Sequence, residues 1–318
     1  MNTVQQEVDE RTNLTGNNKF ELLLFRLGSG GGEDRAELYG INVFKVREIV
    51  AMPEVTAIAG ALPHVLGVVN LRGQIIQVID LPAVVGCTPK TGLNIILVTE
   101  YARTTQAFAV ESVEEIVRLN WSDVLSAEAS SVGGSVTSIA RIDGNIEGTR
   151  LAQVLDVEQI MADLAPGSKL LVNGAAIGPK VKLPGDTVIL AADDSGVARA
   201  MIEASLDAMG APYIMTKSGK EAWEKLQALA HAAEKEGKSV MDKVALVLTD
   251  LEMPEMDGFT LTRHIKQDAR FKSLRVVIHS SLTGTTNEAH VKSVGADAYV
   301  AKFDAEELAG TLRNVLRS

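Results

Sequence analysis

Five polar residues in the C-terminal half of the chain have side chains suited to act together on a phosphoryl group. They are Asp193 and Asp194 in tandem, Asp250, Ser280 and Lys302. Three carboxylates brought together repel one another and need a compensating cation. Mg²⁺ suits them, because it is hard, prefers oxygen and keeps several of its waters. Asp250, the acid at the centre, is placed to attack phosphorus as a carboxylate nucleophile. Lys302 supplies a point charge for one phosphoryl oxygen and the Ser280 hydroxyl a hydrogen bond for another. Phosphoryl transfer asks mostly for positioning and charge neutralisation, and this set offers both.

These residues can meet only if the fold brings them to one edge, and the surrounding pattern does so. Apolar runs at Thr187–Ala191, Pro212–Thr216, Val244–Thr249, Arg275–His279 and Ala298–Ala301 read as strands. Amphipathic stretches near Ser195–Met209, Gly219–Lys235, Gly258–Gln267, Asn287–Val294 and Ala305–Leu316 read as helices between and after them. Strand and helix alternating in this way predict an α/β doubly wound, five-stranded parallel sheet. In such sheets ligands sit beyond the carboxyl ends of the strands, which is where the five polar residues fall.

The stretches Val188–Ser195, Leu248–Gly258, Val277–Ser281 and Gly295–Lys302 resemble the receiver domain of two-component response regulators. The resemblance implies that Asp250 is the phosphorylated residue. It also implies that Asp194 and Asp250 bind Mg²⁺ directly, that Asp193 acts through water, and that the backbone carbonyl of Glu252 completes the protein ligands. It further implies a switch in which Ser280 moves toward the phosphoryl group and the Tyr299 ring turns inward behind it. The family usually has Pro after this Lys; here it is Phe303, and Glu252 occupies a position that tunes the lifetime of the phosphorylated state. A phosphohydrolase working through an aspartyl phosphate is the alternative enzyme class, but it carries Asp-x-Asp early in its fold, whereas Glu252 stands two residues after Asp250.

The first half has a different texture. Short β-type runs at Phe20–Leu27, Val65–Leu71, Gln74–Leu81, Asn94–Thr99, Gln106–Val110 and Val113–Leu119 are separated by turn residues, which predicts an all-β barrel region. Val46–Val50 is echoed by Val113–Val117, and Gln77–Leu81 by Gln153–Val157, in the same order. Such a repeat points to two related small barrels. Val157–Leu164 reads as a short closing helix, and the Pro and Gly residues of 166–186 as a linker. The expected layout is an N-terminal arm over 1–18, a β domain over 19–165, the linker, and the α/β domain over 187–318.

Tyr39–Val50 and Gly67–Leu81 are similar to the CheW coupling-protein family. That family folds as a double SH3-like barrel, has no enzymatic activity, and binds chemoreceptor cytoplasmic tips and the histidine kinase CheA. The similarity implies that Asn70, Leu71 and Arg72 belong to a receptor-facing groove, with Ile41 and Val43 as candidates for kinase contact. The residues alone also allow a plain hairpin turn at Arg72-Gly73. A CheW-like domain followed by one receiver resembles the CheV family, as do Arg11–Leu14 and Asn18–Phe25. It implies a non-enzymatic chemotaxis adaptor, coupling receptors to CheA and serving adaptation or acting as a phosphate sink.

Composition narrows the partners. Of 318 residues, 41 are acidic and 31 are Lys or Arg, a net charge of −10. That charge disfavours binding to nucleic acid or an anionic membrane. The polar N-terminus has no apolar core of a signal peptide, no run approaches the length of a membrane span, and the single cysteine, Cys87, precludes an intramolecular disulfide. The expected location is the cytoplasm, at receptor arrays. The glycine run Gly28–Gly32 lacks the helix and Lys-Ser/Thr of a phosphate-binding loop and reads as a hairpin turn. His64, His231, His264, His279 and His290 show no metal-ligand spacing.

Overall fold

The computed structural model describes residues 19–30, 36–101, 104–126, 135–164, 177–281 and 294–317. The expected arm over 1–18, the residues 127–134, most of the expected helix Asn287–Val294 and His290 lie outside the described residues. The chain divides into a β-rich unit, Glu21–Leu171, and a unit containing Val172–Ser318.

The β-rich unit begins with β1 (Lys19–Gly30), β2 (Ala36–Asn42), β3 (Val46–Ala51), β4 (Val65–Leu71), β5 (Gln74–Asp80), α1 (Leu81–Val85) and β6 (Cys87–Thr88). It continues with β7 (Ile95–Tyr101), β8 (Thr104–Val110), β9 (Ser112–Asn120), β10 (Val124–Ser126), β11 (Val136–Arg141), β12 (Leu151–Leu155) and α2 (Val157–Leu164). One sheet has the order β3-β7-β8-β5-β4. The other contains β9-β1-β2-β12-β11, extended by β10 and β6.

The internal repeat is therefore structural. In each set an antiparallel hairpin (β7–β8, β1–β2) pairs in parallel with the last strand of a second antiparallel hairpin (β4–β5, β11–β12). The repeated Asp does the same work in both halves. Asp80 accepts a hydrogen bond from the Ala83 amide at the start of α1, and Asp156 from the Gln159 amide at the start of α2, each at 3.0 Å. The repeated Glu does too. Glu48 on β3 pairs with Arg72 at 2.9 Å, and Glu115 on β9 with Arg150 at 3.1 Å, tying a terminal strand of the five-strand order to the facing hairpin. Arg150 also grips Asp143 and holds its carboxyl at about 2.

The apolar runs follow from burial on both strand faces. Ile96, Val98, Ala107 and Ala109 point into one core, while Leu97, Phe108 and Val110 join Leu23, Phe25 and Leu27 of the other sheet in a second. The expected turn over Gly28–Gly32 is corrected at its start: Gly28–Gly30 lie within β1, Gly28 at a register shift between Arg26 and Ser29, while Gly31 and Gly32 lie outside the described residues. There the backbone of Thr88 comes so close that a Cβ on Gly28 would collide with it, so the glycine serves close approach rather than chain reversal.

The second unit contains β13 (Val188–Ala192), α3 (Gly196–Met209), β14 (Tyr213–Thr216), α4 (Gly219–Lys235), β15 (Val244–Thr249), α5 (Gly258–Gln267), β16 (Arg275–Ser280), β17 (Ala298–Ala301) and α6 (Ala305–Arg317). All four pairings are parallel, in the order β14-β13-β15-β16-β17. Ile189, Leu246, Val277 and Val300 face α3 and α6; Leu190, Val247 and Val276 face α4 and α5.

The chain ahead of β13 is part of this core. Ile177 and Leu183 are buried in the α3–α6 layer. The Val181 amide donates to the Met209 carbonyl at 2.8 Å, and the Arg313 guanidinium of α6 donates to the carbonyls of Ile177 and Pro179. Residues 177–183, part of the stretch whose composition reads as linker, are here a strap laid on two helices; 166–176 lie outside the described residues. Removing a charged donor from carbonyls costs about 2 kcal/mol. Arg313→Ala is therefore expected to lower the urea midpoint of this unit, followed by Trp223 fluorescence, and to leave the β-rich unit's transition in place.

Candidate functional site

The carboxyl ends of β13, β15, β16 and β17 converge as the sequence requires. Asp193 follows β13 and is fully buried. Its Oδ1 accepts from the Ser195 amide at 3.0 Å, and its Oδ2 lies 3.0 Å from the Lys302 ammonium. Asp250 follows β15 and is also buried. Its Oδ1 accepts from the Leu251 amide at 2.7 Å, its Oδ2 from Lys302 Nζ at 2.9 Å, and its own amide donates to the Ala192 carbonyl. Asp194 is half-buried. One carboxylate oxygen from each of Asp193, Asp194 and Asp250 lies within 4.8 Å of the others.

Register explains how Lys302 arrives. Ser280 pairs with Ala301 across β16 and β17, and the Lys302 amide donates to the Ser280 carbonyl at 2.8 Å. This places the lysine one residue beyond the sheet, level with the strand ends. Its side chain is only 1% exposed, which a lysine tolerates only with partners. Burial works to raise the Asp193 carboxyl, but the attraction of Lys302 and of His279 beside it prevails and holds it below the usual carboxylate range. His279, for which the sequence shows no metal-ligand spacing, is fully buried with Nδ1 3.9 Å from Asp193 Oδ2. The peptide bond after Lys302 is trans, and Phe303 takes the left-handed conformation at φ 66°.

Three carboxylates against one ammonium leave two negative charges among these four side chains when all are ionised. That residual charge and an all-oxygen donor set fit a hard divalent cation. Of the other residues singled out from the sequence, Ser280 is fully buried at the end of β16, and Glu252 is buried in the loop after Asp250. Tyr299 packs against the cluster of Leu251, Phe259 and Ile278, behind the Asp250 loop.

The loop after Asp250 is fixed from below. Asp257 caps α5 through the Thr260 amide, and burial raises its carboxyl above the ordinary value. The Gly258 amide donates to the Leu251 carbonyl at 2.9 Å. A Cβ at Gly258 would run into the Asp250 carbonyl oxygen. The Asp-Gly pair was present in the sequence motif, yet its steric reason appears only in three dimensions. Arg199 was not singled out at all; its guanidinium meets the carbonyls of both Asp193 and Asp194.

In the β-rich unit, Asn70 and Arg72 are exposed at the tip of the β4–β5 hairpin. Arg72 and Gly73 both have positive φ, as a two-residue hairpin loop of this hand requires, and Asn70 Oδ1 accepts from the Gly73 amide at 2.8 Å. Leu71 packs partly on the core beneath. Ile41 and Val43, the candidates for kinase contact, are buried core residues.

Comparison with known proteins agrees with both halves. Residues 21–165 match the CheW-like domain family, and residues 189–313 the response regulator receiver domain family. Chemotaxis protein CheV3 of Helicobacter pylori is 31% identical over 306 residues, covering 94% of this chain and 95% of that one. The chain belongs to the CheV family. Chemotaxis protein CheV2 of the same organism is 29% identical over 327 residues, covering 98% of this chain and 99% of its own. CheV-type chains are thus chemotaxis proteins that join a CheW-like domain to a receiver, a signalling architecture and not that of a conventional enzyme. Among the described residues no helix is long and apolar enough to cross a membrane.

The steric argument at Gly258 is testable. Gly258→Ala is expected to destabilise the receiver by more than about 2 kcal/mol, because a backbone carbonyl and not a movable side chain opposes the new methyl. Urea unfolding measures it, and a change under about 0.5 kcal/mol would refute the contact.

Proposed function

We propose that this chain is a chemotaxis adaptor that couples chemoreceptors to the histidine kinase CheA and is regulated by phosphorylation of Asp250 in the presence of Mg²⁺. The observation that carries the phosphorylation reading is the Asp250 carboxylate itself. It is held by the Leu251 amide and the Lys302 ammonium, and it shares a pocket with two further carboxylates. Mg²⁺, when bound, supplies charge neutralisation and orients the phosphoryl oxygens. Asp194, Asp250 and the Glu252 carbonyl would hold it, with the Asp193 carboxylate beside them.

A carboxylate oxygen of Asp250 forms a bond to phosphorus as the bond from phosphorus to the imidazole nitrogen of the kinase phosphohistidine breaks; the electron pair of that bond stays on the nitrogen, and the imidazole, already protonated at its other ring nitrogen, leaves neutral. Lys302, already beside Asp250, takes one phosphoryl oxygen. The Ser280 hydroxyl donates to another, and the Tyr299 ring closes in behind it. This pair carries the phosphorylation state from the strand ends to the surface of the receiver.

The coupling reading rests on the β-rich unit. Asn70, Leu71 and Arg72 form the receptor-facing site at a hairpin tip whose neighbour, Ile75, is 64% exposed. The second half presents Leu151 at the same repeat position, 53% exposed. Large apolar side chains left in water at ordered strand starts suit contact with other proteins. The location that follows is the cytoplasmic face of a receptor array.

Radiolabelled CheA incubated with the protein and Mg²⁺ is expected to pass its label to the wild type and not to Asp250→Ala. No transfer from an active kinase to the folded wild type contradicts the phosphorylation reading. Because the two functions belong to separate units, Asp250→Ala is expected to keep its place in receptor arrays; loss of array binding with the fold intact would contradict the modular arrangement.

A further inference from the structure

The loop carrying Asp193 and Asp194 is gripped by a second cation besides Lys302. Arg199 lies in the first turn of α3 and donates through Nη1 to the main-chain carbonyls of both acids, at 3.0 Å to Asp193 and 2.8 Å to Asp194. Helical side chains lean toward the helix N-terminus, so a residue at this position covers the loop that precedes its own helix. Two successive carbonyls turned to one guanidinium nitrogen fix two peptide planes. They thereby fix the direction in which the Asp194 side chain leaves the backbone. The Asp193 side chain has its own anchors in the Ser195 amide and Lys302, and the Ser195 hydroxyl caps α3 through the Ala198 amide. The clasp from Arg199 adds a hold on the backbone of both acids.

We propose that Arg199 is a positioning residue for the phosphoryl-acceptor site. It holds the acidic pair so that the Asp194 carboxylate stays within reach of Asp250, and it thereby sets the affinity for the divalent cation. The proposal rests on reading this carboxylate cluster as a Mg²⁺ site. Charge alone does not reproduce the clasp. A lysine keeps the cation, but its ammonium sits on a shorter, more flexible stem and is not pre-oriented toward both carbonyls as the planar guanidinium is, so Arg199→Lys restores only part of the effect.

The test is calorimetric titration of Mg²⁺ into the full chain, comparing wild type, Arg199→Ala and Arg199→Lys, with a melting curve taken without Mg²⁺ to report the fold. The expected result is a Kd weakened about ten- to a hundredfold in Arg199→Ala, as for other residues that orient metal ligands, with the lysine variant between it and wild type. A merely structural role would lower the melting temperature and leave Kd alone. A Kd for Arg199→Ala within about twofold of wild type therefore overturns the proposal while the metal site stands. A wild type that takes up no Mg²⁺ overturns the metal reading and this proposal with it. Should the alanine variant fail to fold, Arg199→Gln, whose amide can still donate to one carbonyl, carries the same comparison.

Discussion

A buried ammonium between two buried carboxylates governs what the rest of the receiver must do. Removing charges from water is costly, and neither Asp193 nor Asp250 could stay ionised at the strand ends without a close counter-charge. Lys302 supplies it to both, at 3.0 Å and 2.9 Å. It can do so only because the parallel register sets Ser280 opposite Ala301 and leaves the lysine one step past the sheet. One ammonium does not neutralise three acids, however. The deficit makes the site a receptor for further positive charge. A carboxylate oriented in this way is also a competent nucleophile. The same electrostatics that constrain the fold thus hold the Asp250 carboxylate in place, as the proposed phosphoryl transfer requires.

The β-rich unit answers a different constraint, the closing of two small sheets with one chain. The first hairpin, β1–β2, pairs with β9 and β12, far along the sequence, and with the short β6. The strands between, β3 to β8 apart from the short β6, build the other sheet. Interleaving of this kind makes the order around β1–β2 depend on distant chain: it is complete only when the chain has reached β12, whereas the other sheet is complete at β8. It also raises the sequence separation of the contacts, a feature of slow-folding β proteins. The shared core of Leu23, Phe25, Leu97 and Phe108 is the energetic return on that arrangement.

Much of this was legible in the sequence because each level of pattern agreed with the next. The strands of the receiver are nearly continuous apolar runs since both faces are covered, and the polar residues stand out where those runs end. The repeat of Gln77–Leu81 in Gln153–Val157 marked equivalent strands and equivalent helix caps at Asp80 and Asp156. What remained hidden has a common physical character. Arg199 and Arg313 act through main-chain carbonyls, which every residue possesses, so no side-chain pattern betrays the pairing. The strap at Ile177–Leu183 reads as linker because Pro179, Pro184 and nearby glycines dominate its composition, while its two buried apolar residues are too few to show a period. Gly28 looked like a turn, since a glycine needed for close approach to Thr88 cannot be told from one needed to reverse the chain until the neighbour is known.

The central claim is that Asp250, supported by Lys302 and a divalent cation, forms a site for a phosphoryl group. Fluorine NMR with beryllofluoride, which takes up the tetrahedral shape of a phosphoryl group on a carboxylate, measures this most directly and independently of any kinase. The account predicts bound fluorine signals in the full-length wild type that require Mg²⁺ and vanish in Asp250→Ala. Absence of bound signals in the presence of Mg²⁺, or signals that persist in Asp250→Ala, would contradict it.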